Sequence, residues 1–248
     1  MIRFVNDAPR AKALAHALAG LTGPDGLVLV LGGDGTMLRA IQRHGPDAVY
    51  FGVNCGHLGF LMNDFPGDAA RVVEAVTTVV RDGSWFAQPF PRLRMRADTP
   101  EGTFEAYALN DVYVERQAHT CHLRVTVDGV EVVRHMVADG IVAATPLGST
   151  AYSFSAGGPA AHPLVRAIHL TAICPHIPRL SPILLPPTST IRVEVLEPEH
   201  RPARAVADGV PTEDVRAVEI VSSGDSVRLA YRVGHDFTTT MIRKILHP

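Results

Sequence analysis

The chain has 248 residues, of which 46% are hydrophobic and 19% charged, and its formal net charge is −2. Such a composition belongs to a globular protein with a substantial core, and nothing in the near-neutral balance suggests a polyanion-binding surface, so no nucleic-acid partner is expected. Cys55, Cys121 and Cys174 are odd in number and far apart, which suits reduced thiols better than a disulfide framework. The opening "MIRFVNDAPRAKALAHALAG" shows no signal peptide, and no stretch reaches the ~18 apolar residues of a membrane span. A cytoplasmic protein without a membrane partner is expected.

In chain order, short apolar runs alternate with helical patterns as far as about residue 85. "LVLVL" at 27–31 reads as a buried strand, and "TMLRAIQRHG" has the helical spacing of Met37, Leu38 and Ile41, predicting a helix from near Met37. "AVYFGVN" at 48–54 is a second strand, and "DAARVVEAVTTVVRDG" at 68–83 is an amphipathic helix ended by Gly83. Strand and helix in that rhythm predict an α/β domain with a parallel sheet.

After about residue 90, "RLRMRAD", "TFEAYALNDVYVER", "HLRVTVDGVEVVRHMVADGIVAAT" and "IRVEVLE" alternate at period two. This half is predicted to be β-rich and mainly antiparallel, a sandwich-like domain. Asp128-Gly129 reads as a tight hairpin turn, because that pair tolerates positive φ. The final "YRVGHDFTTTMIRKILHP" ends helix-like and is expected to return to the first half. The predicted division is residues 1–95 with 230–248 as the α/β domain, and 96–229 as the β-rich domain.

The loop Gly32-Gly33-Asp34-Gly35-Thr36 lies between the first strand and the first helix. In an open parallel sheet that strand end is where ligands bind. Its glycines let backbone approach a ligand, and the following helix start offers N–H groups to an anion. It is neither a Walker loop, lacking Gly-Lys-Ser/Thr, nor the Gly-x-Gly-x-x-Gly dinucleotide fingerprint. A carboxylate near phosphates is repelled by roughly 4 kcal/mol at 4 Å and a surface-like dielectric. Asp34 therefore needs a compensating role, either holding a divalent metal or accepting a proton from a hydroxyl that attacks phosphorus. A plain Asp-Gly turn is the alternative.

Four motifs follow in order: Gly32 to Thr36, "FGVNCGHLGFLMN" at 51–63, "ALNDVYVER" at 108–116, and "DGIVAATPLGSTAYSFSAGGP" at 139–159, with "CPHIP" at 174–178 extending them. Together they resemble the bacterial NAD kinase family. The resemblance implies phosphoryl transfer from ATP or polyphosphate, with a divalent cation (Mg²⁺), to the 2′-hydroxyl of the adenosine ribose of NAD, giving NADP. It implies an N-terminal α/β domain of the phosphofructokinase and diacylglycerol-kinase kind, a β-rich C-terminal domain, and a homodimer or homotetramer. By resemblance, Asp34 is the catalytic base. Gly32, Gly33, Gly35, Thr36, Asn54 and His57 would meet the donor phosphates. Asp34, Gly35, Asn110, Asp111, His119, Asp139, Thr150, Ala151, Tyr152 and Ser155 would meet NAD, with Tyr152 packing on a ring.

No direct protein ligand for a metal is assigned. His162, His169 and His176 are seven apart, but Pro163 and Pro175 rule out one helix through them, and no zinc spacing occurs. The residues also allow blander readings. Asn110-Asp111 is a candidate turn, although an amide suits an adenine edge or a ribose hydroxyl. Ser149 or Thr150 is predicted to cap a helix. Small residues around Ala143 suit close packing, whereas Asp139 in that neighbourhood needs partners. Three positions depart from the family pattern: Asp111 replaces the usual Glu, and Val137 and Val210 replace a basic residue and Gln. Two competing readings remain, a diacylglycerol-type lipid kinase using the same loop and a catalytically idle NAD-binding regulator.

Overall fold

The structure, a computed structural model, describes residues 1–56 and 59–246. The chain divides into two compact units, Met1–Phe90 with Ser226–Pro248, and Pro91–Asp225.

The first unit begins with β1 (Ile2–Val5), α1 (Pro9–Ala17), β2 (Leu27–Gly32), α2 (Asp34–His44), β3 (Val49–Asn54) and α3 (Ala69–Asp82). β1, β2 and β3 are parallel neighbours, with Leu31 opposite Val5 on one side and Val53 on the other. β2 is buried along its whole length, as expected of a strand covered on both faces. α3 buries Val72, Val76 and Val80 at four-residue spacing; the Asp68 carboxylate caps it on the Arg71 N–H, and Gly83 closes it at φ 67°. α2 starts at Asp34, not near Met37. Gly33 is its N-cap, so the glycine loop forms the helix's own first turn and puts the Asp34 carboxylate at its positive end.

The second unit carries β4 (Trp85–Thr99, from Pro91 on), β5 (Gly102–Ala108), β6 (Asp111–Arg116), β7 (Cys121–Val127), β8 (Val130–Ala138), β9 (Gly140–Ala144), α4 (Tyr152–Ser155), β10 (Ile168–Ile173), β11 (Ile183–Leu185), β12 (Ile191–Leu196), β13 (Ala203–Ala207), β14 (Val210–Thr212) and β15 (Ala217–Arg232, up to Asp225). β4, β5, β7, β8, β12 and β15 belong to one sheet, and β11-β10-β9-β6-β13-β14 form the other. Their inner faces share one core, with Leu93, Val112, Leu123, Ile141, Leu170, Val193 and Ala205 fully or almost fully buried. Val127 pairs with Val130 across Asp128 (φ 51°) and Gly129 (φ 78°), the predicted two-residue turn.

Two stretches that read as single strands are each broken. β5 pairs with β4 while β6 lies between β9 and β13, so the chain changes sheets at Leu109-Asn110. It changes again at Asp139, between β8 and β9. Period-two alternation survives such a corner, because the buried face of both sheets points to the same core.

The chain then returns to the first unit. Residues 228–230 of β15 pair in parallel with 49–51 of β3, and α5 (Phe237–Leu246) follows. Buried Asn63 ties this return down. Its amide donates to the Gly52 and Ala230 carbonyls at 3.0 and 2.9 Å, and its oxygen accepts the Arg232 N–H at 2.9 Å.

Candidate functional site

In the first unit the site is built on the β2–α2 junction. Asp34 Oδ2 accepts the Phe60 N–H at 2.6 Å and Oδ1 the Leu61 N–H at 2.9 Å. Two consecutive backbone donors thus fix the carboxylate's orientation at the helix start. Gly59 makes room for it, since a Cβ there would stand 2.5 Å from Asp34 Oδ1. The Thr36 hydroxyl is turned inward and buried; it lies 3.4 Å from Asn6 Nδ2, the Gly33 N and Arg39 Nη2. Asn54, at the end of β3, donates to Asp64 at 2.7 Å and accepts the Gly56 N–H at 3.1 Å. His57 lies outside the described residues. Arg39 escaped sequence reasoning: one helical turn on, exposed, with its guanidinium beside Gly35.

In the second unit both sheet-changing corners carry predicted residues. Asn110 sits at the first, and its side-chain oxygen is buried with no hydrogen-bond partner among the described residues. A native structure seldom leaves such an acceptor empty, and a ligand donor would satisfy it. Asp111 is buried beside it. Burial, then the charge of Asp208, pushes its carboxyl up to about 7, with the Tyr152 backbone N–H acting the other way. At the second corner Asp139 pairs with Arg116 Nε at 2.6 Å, which answers its need for a partner. Tyr152 stands between the corners: burial, then Glu115, Cys174, Asp139 and Asp111, raise its hydroxyl pKa, and its ring meets Tyr113 edge-on at 4.9 Å.

Gly148–Thr150 is a 3₁₀ turn and α4 is a single turn. Neither Ser149 nor Thr150 caps it; Ala151 is the N-cap, without a side-chain bond. The hydroxyls go elsewhere, Ser149 to the Pro146 carbonyl at 2.7 Å and Thr150 to Leu147 at 3.5 Å. Asn110, Asp111, Asp139 and Tyr152 therefore share one neighbourhood with Thr150 and Ala151 adjacent in the chain, whereas Ser155 and His119 are exposed and stand outside this set of contacts. Tyr113 and Asp208 also belong to the cluster, and sequence reasoning missed both.

The raised carboxyls make a test. Asp111 at about 7 and Asp208 at about 6 stand above the ordinary carboxylate value of 3.8. The folded state holds protons there that the unfolded chain releases from about pH 4, so this pair's contribution to stability falls as pH rises from about 4 to 7. Asp111→Asn is expected to lose less denaturant resistance than the parent between pH 5 and 7.5. Equal losses in the two proteins would contradict the protonated Asp111.

The first unit is thus a parallel-sheet domain whose glycine loop bears a carboxylate at a strand end, where open α/β sheets bind ligands, and the second a β-rich domain with a polar cluster at its sheet-changing corners. Comparison with known proteins narrows this. The ATP-NAD kinase N-terminal domain model matches residues 25–82 and the C-terminal domain model residues 109–232. A NAD kinase of Cereibacter sphaeroides is 36% identical, covering 98% of this chain and 97% of the relative; one from an Azoarcus species is 36% identical over 89% and 75%. Yeast NADH kinase, solved with NADH, matches with a TM-score of 0.76 at 28% identity, over 89% of this chain and 65% of its own. An Archaeoglobus fulgidus NAD kinase solved with ATP shares the fold, at 24% identity and a TM-score of 0.74, over 98% of both chains. The chain belongs to the NAD kinase family.

Proposed function

We propose that the protein phosphorylates the 2′-hydroxyl of the adenosine ribose of NAD with ATP, and that Asp34 is the base. The hydroxyl oxygen attacks the γ-phosphorus and forms the new P–O bond. The bond to the β,γ-bridging oxygen breaks, ADP leaves, and the hydroxyl proton passes to the Asp34 carboxylate. The observation that carries this reading is that carboxylate, aimed from the first turn of α2 by two backbone N–H groups. A carboxylate held in this way keeps a fixed direction toward an incoming hydroxyl and is a proton acceptor by its chemistry. A positioned base typically contributes ~10²–10⁴-fold.

Gly32, Gly33, Gly35 and the start of α2 are assigned to the donor phosphates, with Arg39 as their countercharge and Asn54 beside them. Buried Thr36 holds the loop's shape. The likeness of this loop to those of phosphofructokinases and diacylglycerol kinases is part of the same proposal. Asn110, Asp111, Asp139, Thr150, Ala151 and Tyr152 are assigned to NAD, the empty acceptor of Asn110 marking a place for an adenine or ribose donor. No group of three His, Cys, Asp or Glu suited to a metal occurs among the described residues. Mg²⁺ is assigned to the donor's own phosphates, since this ion keeps its waters and favours phosphate oxygens. Bound there, it would neutralise charge on the phosphoryl group. No described helix is long and apolar enough to cross a membrane; a cytoplasmic homo-oligomer remains our proposal.

Incubation with ATP, Mg²⁺ and either NAD, NADH or diacylglycerol tests the reading. NADP or NADPH is expected, detected by an NADP-specific dehydrogenase. Phosphatidic acid would favour the lipid kinase, and NAD binding without turnover would favour the idle regulator.

A further inference from the structure

Asp208 lies almost a hundred residues from the Asn110 corner in sequence, in the turn between β13 and β14. Its φ is 46° and that of Gly209 is 84°, so it occupies the first position of a tight two-residue hairpin. From there its carboxylate accepts three consecutive backbone N–H groups: Leu109 at 2.6 Å on Oδ2, Asn110 at 2.9 Å and Asp111 at 3.3 Å on Oδ1. Its own N–H returns a bond to the Asp111 carbonyl at 3.1 Å. A β-ladder cannot satisfy three successive N–H groups on one side, because they alternate in direction. Their convergence on one carboxylate is what holds the chain bent where it leaves β5 for β6.

The bend is passed on. Thr145 donates its hydroxyl to the Leu109 carbonyl at 2.6 Å and its N–H to the Asn110 carbonyl at 2.9 Å, and the same hydroxyl accepts the Gly148 N–H at 3.1 Å. One continuous chain of hydrogen bonds therefore runs from Asp208 through residues 109–111 and Thr145 to the segment that carries Thr150, Ala151 and Tyr152. Asp128, the other Asp of an Asp-Gly hairpin, also reaches across, to Ser189 and Thr190. It touches none of the residues assigned to NAD.

We propose that Asp208 is a positioning residue for NAD: its three-pronged grip on residues 109–111 sets the direction of the Asn110 and Asp111 side chains and, through Thr145, the placement of the 148–152 segment. The proposal rests on the reading that those residues bind NAD. It assigns Asp208 no contact with the dinucleotide and no part in proton transfer.

The test measures KM for NAD, KM for ATP, kcat and the melting temperature in Asp208→Asn, Thr145→Val and Thr145→Ser. In Asp208→Asn an amide N–H₂ faces an N–H that it cannot accept, so the grip opens. KM for NAD is expected to rise at least tenfold, with KM for ATP within about twofold of the parent. Thr145→Val breaks the relay one link on and is expected to move the same constant; Thr145→Ser, which keeps the hydroxyl, recovers most of it. A folded Asp208→Asn protein with the parental KM for NAD overturns the proposal. If that variant does not fold, a parental KM for NAD in Thr145→Val overturns it instead. A parent chain that makes no NADP defeats the functional reading itself, which separates the two failures.

Discussion

Replacing Asp34 by Asn lowers kcat for NADP formation by about 10²–10⁴-fold and leaves the protein folded. The substitution keeps the shape of the side chain and removes the proton acceptor. It also has a local structural effect that composition and motif would not suggest. Both carboxylate oxygens are occupied, by the Phe60 and Leu61 N–H groups, and an Asn amide turns one of these contacts into donor against donor. A lost hydrogen bond to a charged group costs about 1.5–3 kcal/mol, so some loosening of residues 59–61 and a lower melting temperature accompany the kinetic loss. The core of that unit, with Leu29, Leu31, Phe51 and Val76 fully buried, is untouched, so the fold survives. Steady-state kinetics with a thermal melt check both parts. A kcat above about a tenth of the parental value contradicts Asp34 as the base.

Gly148→Ala is expected to damage NAD binding more than its size suggests. A Cβ at Gly148 would collide with the carbonyl oxygen, carbonyl carbon and Cα of Asn110, all backbone atoms. No side chain can swing away to relieve it, so either the Asn110 corner or the 148–152 segment must move. Both belong to the proposed NAD site, and Thr145 couples them. Overpacking of this kind costs about 1–3 kcal/mol, or a fall of roughly 2–12 °C in melting temperature for a chain this long. If half of it appears in binding, about 0.5–1.5 kcal/mol, KM for NAD rises roughly two- to twelvefold, since ~1.4 kcal/mol is tenfold. KM for ATP is expected to hold. A variant with the parental melting temperature and KM for NAD would show that the two segments do not press on each other.

The legible parts of this protein are those whose physics is local. β2, the glycine loop and α3 announce themselves because an unbroken apolar run, a cluster of glycines and a four-residue valine repeat each need only neighbours in the chain. Asp128-Gly129 reads as a tight turn for the same reason. What a turn's carboxylate then grips depends on a distant segment, so the role of Asp208 at residues 109–111 leaves no mark in the sequence. The corners at Leu109-Asn110 and Asp139 are hidden for another reason: inward-facing residues keep their period through a change of sheet. The sequence pattern puts the start of α2 three residues late because Gly35 is a poor helix former, whereas the first turn tolerates it and gains from Asp34 at the helix's positive end. Ser149 and Thr150 are plausible caps by residue type, but their hydroxyls turn back to the Pro146 and Leu147 carbonyls, which the tight 3₁₀ turn brings within reach.

The position of the new phosphate tests the central claim most directly. Phosphorus NMR of the purified product, formed by the parent chain from NAD and ATP, should show one phosphomonoester coupled to the H2′ proton of the adenosine ribose, with the pyrophosphate bridge unchanged. A phosphate on the 3′-oxygen or on the nicotinamide ribose, or no phosphomonoester at all under conditions where NAD is bound, would contradict it.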